Sequence, residues 1–368
     1  MLKLGNLSKN LFKKVFFLLL YKLYFQRRKD SKGLIVLTYH RIANEPDLDD
    51  PLKVSLSTFE QQILYLKRNF RIISGEEFAA IIKREGPFPE NACLITFDDG
   101  WKDNYTNAFP ILKKYDVPAI VFVSTDYVGT NRIFWHEQLA LAFMVLPDKM
   151  DIGVFKDRLS RWPKPVLNKI ELIAIRPRRF RRPMINELTE YLKGFGEEKN
   201  ISLAQELDEL FLAGQKDKPA SMLSWGEIVE MSRANIEIGS HGKSHSILTG
   251  IDESGVRGEL IESRSVIEER TGGPVNFLAY PNGNFTGAIK RITQEAGYLA
   301  SFTCQPGVNK AQTDPFELLR QHVHEDLSLG FDGQFSESFF ATELSCVRNH
   351  LKGLLRIARE NVWRKNCV

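Results

Sequence analysis

Between residues 34 and 323 the sequence alternates two kinds of apolar pattern. Short β-rich runs, several of them nearly unbroken apolar, occur at 34–38, 71–73, 93–97, 119–123, 236–239, 276–280, 299–303 and 319–323. A strand wetted on one face would alternate apolar and polar side chains. Unbroken runs instead predict parallel strands covered on both faces. Between them lie stretches with apolar residues three and four apart. In 57–70, Phe59, Ile63 and Leu66 share one helical face, and Ser57 followed by Glu60 predicts a capping box at the start. Residues 104–115 and 257–271 read as helices in the same way. Seven or eight strand–helix units in series predict an α/β protein, a distorted or incomplete (β/α) barrel with about seven parallel strands.

Residues 140–222 break this rhythm. They hold charged helical stretches at 185–195 and 203–213, and five arginines at Arg176, Arg178, Arg179, Arg181 and Arg182. This reads as a helical insertion in one barrel connection. Its arginines form either a solvated helix edge or a contact for lipid headgroups or the phosphates of a lipid-linked substrate. The tail at 335–363 has the pattern of an amphipathic helix. The expected organisation is therefore an N-terminal segment 1–33, a barrel over 34–334 with insertion 140–222, and a C-terminal helix in 335–368. No internal repeat or low-complexity tract interrupts it.

With 368 residues, 43% of them apolar and 26% charged, the chain can bury a sizeable core. Its small positive charge is local. Residues 1–33 hold nine Lys and Arg against one acid, Asp30, so the remainder is net acidic. That distribution argues against a nucleic-acid-binding body. The apolar run at 15–21 is far shorter than the roughly 20 residues a spanning helix needs. Gln26, Arg27, Arg28 and Lys29 follow where a secretory signal would place small residues. The segment suits a helix lying in a membrane interface, and equally a core-packing helix with solvated lysines; an uncleaved signal-anchor is a third reading. The cysteines, Cys93, Cys304, Cys346 and Cys367, are scattered without metal or redox spacing, as expected in a reducing compartment.

In a barrel, residues just past the C-terminal ends of the strands converge on one mouth. Those positions hold His40, Asp98 with Asp99, His241 with His245 four residues on, the turn 280–283, and Arg320 with His322 and His324. Alone, an H-x3-H pair or an Asp-Asp-Gly turn says little. Together, two imidazoles and a carboxylate make a site for a divalent cation with positions left for water. The second carboxylate is then a candidate base for that water. Trp101 and Trp225 are flat rings that either stack on sugars or pack in the core.

The stretches "LTYHRI" at 37–42, "TFDDG" at 96–100 and "SHGKSH" at 240–245 resemble the polysaccharide deacetylases of NodB homology. The likeness is greatest to the branch opening with a Tyr-His motif, and "FWHEQL" at 134–139 and "MLSWGEI" at 222–228 extend it over about 34–325. The resemblance implies a metal, most simply Zn²⁺, on Asp99, His241 and His245, with Asp98 as general base and His40 as general acid. The family's third motif carries an Arg two residues before its Pro; here that position is Ala279, and Asn282 stands where a Tyr usually follows. Arg320 is the candidate to brace Asp98 in place of the missing Arg, and the Asn282 backbone N–H is the matching oxyanion donor. The implied reaction removes N-acetyl groups from amino sugars of a polysaccharide or lipid-linked saccharide. O-deacylation by the same site, or a catalytically silent carbohydrate-binding protein, are the alternatives. With residues 1–33 as a peripheral membrane contact, the cytoplasmic face of the membrane is the expected location, and anchorage outside the alternative.

Overall fold

The computed structural model describes residues 33–344 except 49, 51, 152, 212–221 and 331. The expected segment 1–33 thus lies outside the described residues but for Gly33, as does most of the expected C-terminal helix; its described part is Glu337–Leu344. Ten strands occur: β1 Leu34–Tyr39, β2 Arg41–Ala43, β3 Lys53–Ser55, β4 Arg71–Ile72, β5 Ala92–Phe97, β6 Ala119–Val123, β7 Ile236–Ser240, β8 Phe277–Ala279, β9 Ala300–Phe302 and β10 Gln321–His322. Seven form one curled parallel sheet in the order β10-β1-β5-β6-β7-β8-β9, with β4 added beside the start of β5. The two ends of this order are tied by a single parallel bridge, Phe302 to Leu318, just ahead of β10. The fold is therefore the distorted α/β barrel that the runs predict.

The unbroken runs arise because alternate residues serve two cores. Leu34, Val36, Leu94, Ile120, Phe122, Phe277, Ala279 and Phe302 belong to one cluster inside the curl. Ile35, Leu37, Cys93, Ile95, Val121 and Ile238 belong to another, shared with Phe59, Ile63, Leu66, Leu112, Val256 and Leu260 of the surrounding helices. Both side-chain sets of such a strand leave water, which favours apolar residues on each. Helix Gly75–Ile82 covers the end of the curl where the strands begin, its Phe78 ring 5.4 Å from Phe277 and 5.9 Å from Phe302. The opposite end, where strands finish, is left for polar residues.

Local details depart from the sequence pattern in three places. The first helix is Leu56–Asn69, and its cap is Ser55, whose hydroxyl accepts from the Thr58 N–H. The capping box expected from Ser57 and Glu60 does not form, because Glu60 instead accepts from Lys114 and Tyr115. A complete capping box does occur at Ser224 and Glu227. The short parallel pair β2–β3 has no counterpart in the expected strands, being three residues each and part polar. Thirdly, the arginine cluster is not a uniformly solvated or ligand-facing edge. Arg181 is fully buried and donates to the carbonyls of Phe143, Leu146, Pro147, Ala174 and Arg176. It donates to carbonyls at two helix ends, where intrahelical partners run out.

Residues Gly129–Met222 form a compact unit separate from the barrel. Its helices Trp135–Met144, Lys164–Ala174, Arg181–Leu192 and Glu197–Phe211 enclose a core of their own, including Leu139, Phe143, Val166, Ile170, Leu188, Leu203 and Leu207. Among the described residues, no helix is long and apolar enough to cross a membrane.

Candidate metal centre

Side chains of successive strand residues point to opposite faces, so adjacent Asp98 and Asp99 should diverge at the end of β5. They do not, because the chain turns between them. Asp99 has φ +78° and Gly100 φ +77°, left-handed values that Asp tolerates better than most residues and Gly adopts freely. A side chain at 100 would also press on Val123. The turn brings Asp99 Oδ1 to 3.5 Å from His241 Nε2 and 3.4 Å from His245 Nε2. His241 ends β7, and His245 follows at φ +63° in a loop held by Glu259, which accepts from the Lys243 and Ser244 N–H groups.

One ligand atom from each of Asp99, His241 and His245 lies within 4.8 Å of the other two. The surroundings leave those atoms available. His241 Nδ1 is 2.7 Å from the Ala279 carbonyl, which accepts its proton and directs the Nε2 lone pair inward, as in metal-bound histidines. Trp101 donates its indole N–H to Asp99 Oδ2 at 2.9 Å, leaving Oδ1 toward the imidazoles. Burial opposes the Asp99 charge, yet the two imidazoles hold its carboxyl well below the usual range. Burial likewise opposes a charged His241, but Asp98 and Asp99 raise its pKa. A buried site that draws a proton onto an imidazole in this way is also one that favours a divalent cation. The set fits a metal of the hard-to-borderline class.

Asp98 remains on the inner face of the strand. Arg320, fully buried ahead of β10, donates to both of its oxygens at 2.7 Å and, through Nε, to the Thr303 carbonyl at 2.9 Å. The pair is bidentate, the strongest geometry available to these groups. Burial pushes the Asp98 carboxyl up, but Arg320 and then His241 bring it below the ordinary range. His40 follows β1, its carbonyl held by the Asn104 amide at 2.7 Å. Its ring stacks on His322 at 5.8 Å, and His324 stands 6.4 Å beyond. Burial lowers His40 against the pull of Asp99 and Asp98. Burial, then His40 and Arg320, push His322 down to about 3.

The sequence candidates thus fall into one coupled group, Asp98, Asp99, His40, His241, His245 and Arg320, with Asn282 to one side. Asn282 lies in the turn Pro281–Gly283 at φ +58°. That turn lines a pocket of about 380 Å³ with Asn284, Phe285, Cys304 and Gln305. Cys304, which also contacts Arg320, links the pocket to the buried pair. The pairing of Trp101 decides between its two readings for the core: its ring is fully buried and its indole N–H is held by Asp99. Trp225 is partly buried beneath the Arg270 guanidinium. Sequence reading did not single out Glu259 or the Ala279 carbonyl. A helix carboxylate and a backbone oxygen have no signature of their own.

In class, this is an α/β barrel protein with an Asp-His-His set at its strand ends that could hold a metal ion. A family model for polysaccharide deacetylase matches residues 85–161 and 205–301, which carry Asp98, Asp99, His241 and His245. YxkH of Bacillus subtilis is 20% identical over 306 residues, 83% of this chain and 76% of that one. The poly-beta-1,6-N-acetyl-D-glucosamine N-deacetylase of Staphylococcus epidermidis is 29% identical over 139 residues, 34% of this chain and 47% of that enzyme. Its Staphylococcus aureus counterpart is 36% identical over 115 residues, 28% of this chain and 39% of that enzyme. The match thus spans less than half of either staphylococcal enzyme. Among solved structures, the Streptococcus pyogenes deacetylase PplD in complex with acetate aligns with TM-score 0.53 at 16% identity, over 85% of this chain and 98% of that one. IcaB from Ammonifex degensii aligns with TM-score 0.53 at 20% identity, over 85% and 97%. At these identities the likeness is one of fold.

Proposed function

We propose that the protein is a metal-dependent hydrolase that removes N-acetyl groups from amino sugars of a polysaccharide or a glycan precursor. The observation that carries this reading is the juxtaposition of the Asp99–His241–His245 set with a second, separately braced carboxylate, Asp98. A purely structural metal site needs the first and has no use for the second. A divalent cation such as Zn²⁺ would supply Lewis acidity toward the acyl oxygen and make water more acidic. Asp99, His241 and His245 would hold it.

The remaining work falls to protein groups. Asp98, kept ionised and fixed in orientation by Arg320, accepts the proton of the attacking water. The proton that Asp98 takes from the water balances the one the departing amine nitrogen receives when the C–N bond breaks; His40, held toward its neutral form by burial, is the candidate to relay it to the nitrogen. The Asn282 N–H is the candidate donor to the developing oxyanion. The products are acetate and a free amino sugar. The staphylococcal relatives, named for N-deacetylation of a β-1,6-linked N-acetylglucosamine polymer, support an N-acetylhexosamine substrate.

The test is acetate release from N-acetylhexosamine oligomers by the metal-loaded protein, alongside O-acetylated esters. Release from the oligomers that is lost in Asp98→Asn supports the reading. Turnover of esters alone would replace it with O-deacylation, and binding without turnover of either would leave only carbohydrate recognition.

A further inference from the structure

The buried clamp made by Arg181 has an effect on its neighbours. By drawing the start of helix Arg181–Leu192 against the end of helix Lys164–Ala174, it turns the connection 175–180 outward. Within that connection Ile175, Arg176, Arg178, Arg179 and Phe180 are all exposed. Among the described residues seven large apolar side chains are exposed. Three of these fall within nine residues here: Leu172 at 45%, Ile175 at 49% and Phe180 at 53%. Leu172 and Ile175 are three apart at the helix end and so share a face. Single exposed apolar residues are ordinary; a cluster on one tip is not.

The charge of the tip is one-signed. From 172 to 186 there are five arginines and no acid. Arg181 is consumed by carbonyls, while Arg176, Arg178 and Arg179 make no salt bridge among the described residues; Asp148 accepts from the Arg178 backbone N–H. The Arg179 guanidinium lies 4.7 Å over the Phe180 ring, so cation and aromatic face point the same way.

We propose that the tip 172–180 of the helical unit is a membrane-interface contact that seats Ile175 and Phe180 at the acyl boundary and Arg176, Arg178 and Arg179 among anionic phospholipid headgroups. A soluble phosphate would explain the arginines but not the exposed Ile and Phe, and a solvated edge would explain neither. Arginine beside aromatic and aliphatic residues at one tip is the composition that interfacial anchors use. The segment 1–33, apolar with nine Lys and Arg against one acid, has the same composition elsewhere in the chain.

The test uses the full chain in co-sedimentation with phosphatidylcholine vesicles, with and without phosphatidylglycerol. The parent protein binds the anionic vesicles. The triple change Arg176→Gln, Arg178→Gln, Arg179→Gln lowers its partition by at least about tenfold, since each cation near such a surface is worth roughly fivefold. The double change Ile175→Ser, Phe180→Ser lowers it by a further independent factor of about ten. Thermal unfolding stays unchanged in both, because the altered side chains are exposed. Comparing variants with the same full-length parent cancels any contribution of residues 1–33. Unchanged partition in either variant overturns the proposal. So does an arginine effect without an Ile175/Phe180 effect, together with competition by inorganic pyrophosphate, which would identify a soluble-phosphate site.

Discussion

Replacing Arg320 by Met removes the only cation that touches Asp98 within the described structure while keeping a long apolar stem between Phe122 and Phe302. The guanidinium donates twice to the carboxylate and once to the Thr303 carbonyl, all buried. Leaving a carboxylate buried without its partner costs about 3–5 kcal/mol. Arg320→Met should therefore destabilise the fold by about 4 kcal/mol. Asp98→Asn in the same chain removes the unpaired charge and should recover about 2 kcal/mol. The assay is urea unfolding of the parent, both single variants and the double variant, with chelator present so that metal binding contributes nothing. The pH dependence adds a sign. Asp98 is held below the ordinary carboxylate range, so its contribution is present above the unfolded-state value and lost as pH falls through the folded one. The gap between parent and Arg320→Met should be widest near neutrality and narrow in acid. A coupling energy under about 0.5 kcal/mol between positions 98 and 320 would refute the brace.

Other outcomes follow from the same geometry. Asp98→Asn should keep metal affinity within a few-fold while turnover falls by about 10² or more, read by calorimetric metal titration beside acetate release. Trp101→Phe removes the hydrogen bond to Asp99 Oδ2 and should weaken metal binding about 10–100-fold; unchanged affinity would show that the indole serves only packing. Glu237, half-buried against Gly75 on the inner side of β7, is raised to about 7 by burial and by Glu76, against the Asn276 amide. Its favourable contribution is present below the unfolded value and lost as pH rises through 7, a swing of about 3 kcal/mol. Glu237→Gln should therefore match the parent near pH 5, as an order-of-magnitude guide, and exceed it in melting temperature near pH 8; equal melting at the higher pH would count against the assignment.

How far the sequence reached can be argued from single residues. Runs such as 93–97 and 119–123 were legible because burial on both faces disfavours polar residues, a constraint that acts locally. Asp98, Asp99, His241 and His245 were legible as a set because strand ends converge. Arg320 was legible only through its phase, two residues ahead of His322 on the same strand face. Trp101 stayed open between a sugar face and the core because its neighbour's turn decides where the indole goes, and a φ of +78° at Asp99 leaves no trace in residue type. Arg181 was hidden for the opposite reason: within a run of like residues, nothing marks the one that tertiary structure folds inward. Ser55 displaced Ser57 as the helix cap because two serines satisfied the same local rule, and the longer-range pull of Lys114 and Tyr115 on Glu60 chose between them.

The tie between β9 and β10 has a mechanical meaning. Around the bridge of Phe302 to Leu318, the Leu318 N–H donates to Ser301, the Thr303 N–H to Leu318 and the Arg320 N–H to Gln305, and the Arg320 guanidinium adds a bond to the Thr303 carbonyl. The same side chain that orients Asp98 is therefore a stitch in the seam between the two ends of the sheet. Sheets open locally before they open as a whole. Each opening there would let go of the carboxylate at the same instant, so hydrogen exchange at Thr303 and Arg320 would report, amide by amide, on the fraction of molecules ready for chemistry.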